Sequence, residues 1–183
     1  MKTVLVPIYH GAVAKNILRT DVVKTMLSRN DVRVVCLTRF PERAGYYQKE
    51  IFHERLFYDL FYKIPDGILE RLFSFLKFRL IRTATTDLWQ KMSYGEHGNY
   101  FLSVMAAFFN RLIARGSVRK GLRFFDYHFV GDAGFGAVLE KYRPDVVLLP
   151  HLFDDAEVSL LREAKKRRIA TVGFINSWDK LTA

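Results

Sequence analysis

Tyr9, His10 and Gly11 follow directly on the apolar run Lys2–Ile8, and His151 and Asp154 stand just after a second such run, Asp145–Pro150. An imidazole placed there has the chemistry to take a proton from an acceptor hydroxyl, because its ordinary pKa of about 6.5 leaves it neutral and basic near pH 7. Gly11 would let the backbone turn tightly, and the start of a following helix would offer free amide donors to an anion. Plainer readings stand beside these. His10 and His151 also suit turn residues with satisfied rings, and Asp154 suits a helix N-cap better than a catalytic carboxylate. A third polar loop, Asn176–Ala183, carries Ser177, Trp178 and Asp179.

The elements that position these residues are legible at the two ends of the chain. Lys2–Ile8 is continuous, β-branched and bounded by Pro7 and Gly11, as expected of a strand buried on both faces. A helix is predicted over Asn16–Ser28, with Asn16 as N-cap and Ile17, Val22, Val23, Met26 and Leu27 inward; Val32–Thr38 is the next strand. The pattern recurs as strand Asp145–Pro150, helix Asp154–Arg168 and strand Ala170–Ile175. In that helix Val158, Leu160, Leu161 and Ala164 are predicted inward, acids open it and bases close it. Two βαβ units imply a single α/β domain over residues 1–183, a Rossmann-like, doubly wound, mostly parallel sheet with a helical, aromatic-rich insertion at about 60–130. Between the units, Ile51–Tyr58 reads as a further strand, Asp66–Arg82, Asn99–Arg115 and Phe135–Tyr142 as helices, and Gly116–Asp132 is ambiguous. In open α/β sheets ligands lie beyond the carboxyl ends of the strands, which is where Tyr9–Lys15, His151–Asp154 and Asn176–Ala183 would lie.

Composition narrows the functional classes. The lone Cys36 excludes an internal disulfide and a multi-thiolate metal site, and predicts a reducing compartment. The apolar start lacks a cleavage site and charges break every longer run, so neither a signal peptide nor a spanning helix is expected. The net charge of +10 divides as +4 over residues 1–60, +6 over 61–130 and 0 over 131–183, and the middle segment also holds 15 of the 27 aromatic residues. Ile68–Ile81 is more apolar than a half-exposed helix requires. It fits either a helix packed within the protein or one lying in an anionic headgroup region with Arg71, Lys77, Arg79 and Arg82 around its apolar face. No RNP-like strand, zinc spacing or recognition helix appears, which makes nucleic acid a poor partner. There is no G-x-G-x-x-G after the first strand and no P-loop, so a stand-alone dinucleotide enzyme or NTPase is not expected. The glycines Gly131, Gly134 and Gly136 read as a flexible entry to a helix, and His53–Glu54 lacks the second histidine of a zinc protease.

Asn16-Ile17-Leu18-Arg19-Thr20, Pro144-Asp145-Val146-Val147, Leu161-Arg162-Glu163-Ala164-Lys165, Thr171-Val172-Gly173 and Ser177-Trp178-Asp179-Lys180-Leu181-Thr182 together resemble the N-terminal domain of bacterial GT-B-type glycosyltransferase-like proteins of surface-polysaccharide biosynthesis. The resemblance covers the two ends and little of the middle. It implies an acceptor-binding half, cytoplasmic and peripheral at the inner face of the plasma membrane, with a carbohydrate or lipid-linked acceptor as partner. It further implies that the nucleotide sugar binds a C-terminal domain or partner chain, so that no cofactor and no metal belong to these residues. His10 and Asp179 become the catalytic candidates. Tyr9, Gly11, Asn16, Arg19, His151, Asp154, Ser177 and Trp178 become the substrate-binding ones: the indole of Trp178 is suited to stack on a sugar face while Ser177 and Asp179 bond its rim. A capped turn with a packed tryptophan is the alternative for that loop. Two other functions fit the same residues: a non-enzymatic degenerate half-transferase that binds an anionic membrane or a protein, and a small sugar-nucleotide epimerase.

Overall fold

The computed structural model describes residues 1–63, 67–69, 71–72, 92, 104–105, 108, 115–130, 134–152 and 154–174. The chain divides into two compact units, Met1–Pro65 with Asp132–Asn176, and Asp66–Gly131 with Ser177–Ala183.

The first unit is an α/β sandwich around a five-stranded sheet. Its strands are β1 (Lys2–Ile8), β2 (Val32–Thr38), β3 (Leu56–Leu60), β4 (Val146–Leu149) and β5 (Ala170–Gly173), in the order β3-β2-β1-β4-β5 and all parallel. This is a Rossmann-like arrangement. The apolar runs are continuous because β1 and β2 are covered on both faces. Val6, Ile8, Val34 and Cys36 pack with Val13, Ile17 and Val23 from α1 (Gly11–Ile17) and α2 (Asp21–Leu27), and with Tyr47 of α3 (Pro41–Glu50). The alternate residues Leu5, Val35 and Leu37 face the other way. With Val147 and Leu149 they meet Phe135, Val138 and Leu139 of one helix (Phe135–Tyr142) and Ala156, Leu160 and Ala164 of another (Asp155–Lys166). The period-2 alternation of a strand thus divides one apolar run between two cores.

Several boundaries differ from the sequence reading. The helix expected over Asn16–Ser28 is two helices: α1 begins at Gly11, and Thr20, with Asn16 inside α1, is the N-cap of α2. Asn16 is therefore not an N-cap; only its carbonyl takes part locally, accepting the Thr20 hydroxyl at 2.7 Å. Gly11 has no positive φ and heads a helix instead of a tight turn. The third strand is Leu56–Leu60, later than Ile51–Tyr58, because Pro41 starts a helix that the sequence reading missed. Gly134 at φ 82° is a left-handed N-cap of the helix that starts at Phe135, a conformation that favours glycine over any residue with a Cβ.

In the second unit the ambiguous segment is helical: α4 (Gly116–Phe129) precedes α5 (Phe135–Tyr142) and α6 (Asp155–Lys166) of the first. The expected helices Asp66–Arg82 and Asn99–Arg115 lie almost wholly outside the described residues. Among the described residues no helix is long and apolar enough to cross a membrane.

Candidate functional site

The strand order reverses direction at β1, whose neighbours are β2 on one side and β4 on the other. A sheet of this kind opens a crevice there, beyond the carboxyl ends of the two central strands, since the crossing chains leave toward opposite faces. Tyr9 and His10 follow β1, and Pro150 and His151 follow β4, so the topology carries two pairs 141 positions apart in sequence into one place.

His10 and Asp154 form the centre of the group. His10 Nε2 lies 2.8 Å from Asp154 Oδ2, with the histidine side chain 43% exposed and the aspartate 8%. Asp154 is held from the other side by the helix it caps: Oδ1 accepts the backbone N–H of Ala156 at 2.8 Å and of Glu157 at 3.3 Å. Those bonds stabilise the carboxylate and fix its orientation. A carboxylate only accepts, so Nε2 donates to it and the lone pair stands on Nδ1. Among the described residues nothing bonds Nδ1. The His151 ring meets His10 edge to face at 5.2 Å.

Beneath this pair lies a carboxyl that the sequence reading did not single out. Glu157 is fully buried; its Oε2 accepts the His151 backbone N–H at 2.8 Å. Burial drives its pKa up, the His151 N–H pulls the other way and Asp154 adds to the rise, which leaves it at about 8. Asp154-x-x-Glu157 has the spacing of a capping box, which would send Glu157 back to the N-cap amide at the surface. The available signal was the helix period, since Glu157 shares the buried face with Leu160 and Ala164. Tyr9 is buried beside it, and burial, then Glu157 and Asp154, raise the phenol well above its ordinary value. Neither the Tyr9 hydroxyl nor Glu157 Oε1 has a hydrogen-bond partner among the described residues.

The other sequence candidates divide clearly. Gly11 lies beside the group, with open space where a Cβ would project. Asn16 is exposed on α1, and Arg19 is engaged elsewhere, donating to the Tyr46 hydroxyl at 3.0 Å and Glu50 at 3.1 Å. Arg19 lines a groove of about 640 Å³ with Thr20, Lys24, Glu50 and His53, at the α1–α2 junction and the segment before β3. No residue of the His10 group lines it. Arg71 is exposed, while Ser177, Trp178, Asp179, Lys77, Arg79 and Arg82 lie outside the described residues. Among the described residues no group of three or more His, Cys, Asp or Glu is arranged to hold a metal ion.

The site is thus a part-exposed imidazole with one nitrogen bonded to a capped carboxylate and the other without a partner among the described residues. Such a pair has the parts of a general base, an acceptor nitrogen and a group that sets its tautomer and orientation. Compared with protein-family models, curated proteins and solved structures, the chain matches none.

Proposed function

We propose that this chain is the acceptor-binding half of a GT-B-type glycosyl-transfer system of surface-polysaccharide or glycoconjugate synthesis, with His10 as the general base. The observation that carries the reading is the His10–Asp154 pair at the carboxyl end of β1. In the reaction, Nδ1 takes the proton of the acceptor hydroxyl as its oxygen attacks the anomeric carbon, and the bond to the nucleoside diphosphate breaks. Asp154 stabilises the imidazolium that results. The donor nucleotide sugar belongs to a C-terminal domain or partner chain, in keeping with the missing glycine-rich fingerprint after β1.

In an assay reconstituted with a donor-binding half, His10→Ala lowers turnover by about 100-fold or more while acceptor affinity changes only a few-fold. Equal loss of both would assign His10 to binding alone.

A second reading, the non-enzymatic half-transferase at an anionic membrane, draws on α4. Val118, Leu122, Phe125 and Phe129 recur on one helical face, and Val118, Phe125 and Phe129 are exposed. Arg115, Lys120 and Arg123 accompany them, against the single acid Asp126. An apolar stripe with basic companions suits the headgroup boundary of the inner leaflet. It is compatible with the first reading, since a lipid-linked acceptor is presented at that surface.

A further inference from the structure

We propose that Arg39 and Arg43 form a binding site for the phosphate group of a phosphorylated acceptor, a substrate class that rests on the reading of His10 as the acceptor's base. Arg39 is the first residue after β2, and Arg43 lies in the first turn of α3. Both reach toward the residue that precedes His10. The Arg39 guanidinium carbon stands 4.4 Å from the centre of the Tyr62 ring, and Tyr62 packs edge to face on Tyr9 at 4.8 Å. Arg43 Nη1 donates to the Tyr9 carbonyl at 3.5 Å, a long bond that engages one of its five donors. Phe40 supports both, with guanidinium carbons 4.9 and 5.3 Å from its ring centre.

Arg19, Arg29, Arg55 and Arg167 each meet a carboxylate within 4.0 Å. Among the described residues Arg39 and Arg43 meet none. Arg33, Arg143 and Arg168 likewise meet no carboxylate among the described residues, but Arg39 and Arg43 are the two unpaired arginines held at Tyr62 and Tyr9. Glu42, between them in sequence, is exposed and pairs with neither, and Asp154 is committed to His10 and to the α6 amides. A guanidinium held against a ring by its face keeps its N–H edge free, and that edge matches phosphate oxygens in pairs. Two such forks offer more donors and more charge than a carboxylate uses, which favours phosphate. A phosphate seated there would hold the rest of an acceptor near His10, whose Nδ1 has no partner among the described residues. A phosphate on a lipid carrier and one on a free sugar present the same oxygens.

The 183-residue chain is titrated by calorimetry with octyl phosphate and α-glucose 1-phosphate, with octyl glucoside and glucose as uncharged controls. Saturable binding of a phosphate probe, weakened about tenfold or more in Arg39→Gln/Arg43→Gln, is the expected result. The Arg39→Lys/Arg43→Lys variant, which keeps the charge but loses the paired geometry, falls between the two, and guards against a fold defect in the glutamine variant. Tighter octyl phosphate identifies a lipid-borne group, tighter glucose 1-phosphate a soluble one. Wild-type affinity in both double variants, uncharged controls that bind as well as the phosphates, or no saturable binding of either phosphate overturns the proposal. His10→Ala leaves phosphate affinity within about twofold, because the base is not a phosphate ligand. A His10 that proves dispensable for turnover therefore removes the base without removing the phosphate site.

Discussion

His10 owes its candidacy to a neighbour 144 positions away, and each consequence of that pairing is open to measurement. With Nε2 donating to Asp154, the neutral ring is the Nε2–H tautomer, and imidazole ¹⁵N spectra of the wild type should show it as the dominant form. Asp154→Asn should mix the tautomers; an unchanged ¹⁵N pattern would mean that Asp154 does not set the ring. Glu157 makes a different prediction, for stability. Its carboxyl binds a proton in the folded chain up to about pH 8, whereas the unfolded chain releases that proton at about pH 4.3. The resulting contribution is complete below the ordinary value and is lost as pH rises to about 8, so the urea midpoint should fall between about pH 5 and pH 8. Glu157→Gln, which cannot ionise, should flatten that fall. His10, His151 and Asp154 were legible because they follow apolar runs directly. Glu157 was not, because an acid at that spacing reads as a cap until a buried helix face is known. Arg39 and Arg43 escaped notice because the helix after β2 was not foreseen.

At the scale of elements, the α6 N-terminus serves the fold and the site with one side chain, and substitution can separate the two. Asp154→Ser keeps a capping oxygen and should cost less than about 0.5 kcal/mol, whereas Asp154→Ala should cost about 1 kcal/mol in urea unfolding. Both remove the partner of His10, so similar losses of turnover with different stabilities are expected. Arg168, just past the end of α6, has φ 59°, a left-handed conformation that a side chain opposes. Arg168→Gly should therefore raise stability by about 0.5–1 kcal/mol. The buried strands β1 and β2 were plain in the sequence, since parallel strands covered on both faces show unbroken apolar runs. The helices were harder. The periodicity through residues 16–28 continues across the break at Leu18–Thr20, and the sheet packs α1 and α2 as separate segments that the helical period does not distinguish. Between Pro41 and Glu50 only Tyr47 is buried, so the apolar signal of α3 is nearly absent.

For the molecule as a whole, the doubly wound sheet follows from the two βαβ units at the chain ends, and the reversal at β1 follows from the sheet. The exposed apolar face of α4 is a surface question. Vesicles of phosphatidylglycerol should bind the chain more tightly than vesicles of phosphatidylcholine, with salt weakening the binding and Phe125→Ser/Phe129→Ser weakening it further. Equal binding to both lipids would remove the electrostatic part of the α4 reading. A His10 that serves as the base for a sugar acceptor responds to saccharides and not to nucleosides. Titrating the chain with saccharides and with nucleosides, which carry no phosphate for Arg39 and Arg43, while following the His10 imidazole by NMR separates the two cases. Saturable shifts of His10 with saccharide acceptors and none with nucleosides are expected; saturation by nucleosides, or a folded chain whose His10 no saccharide moves, would contradict the acceptor-base reading.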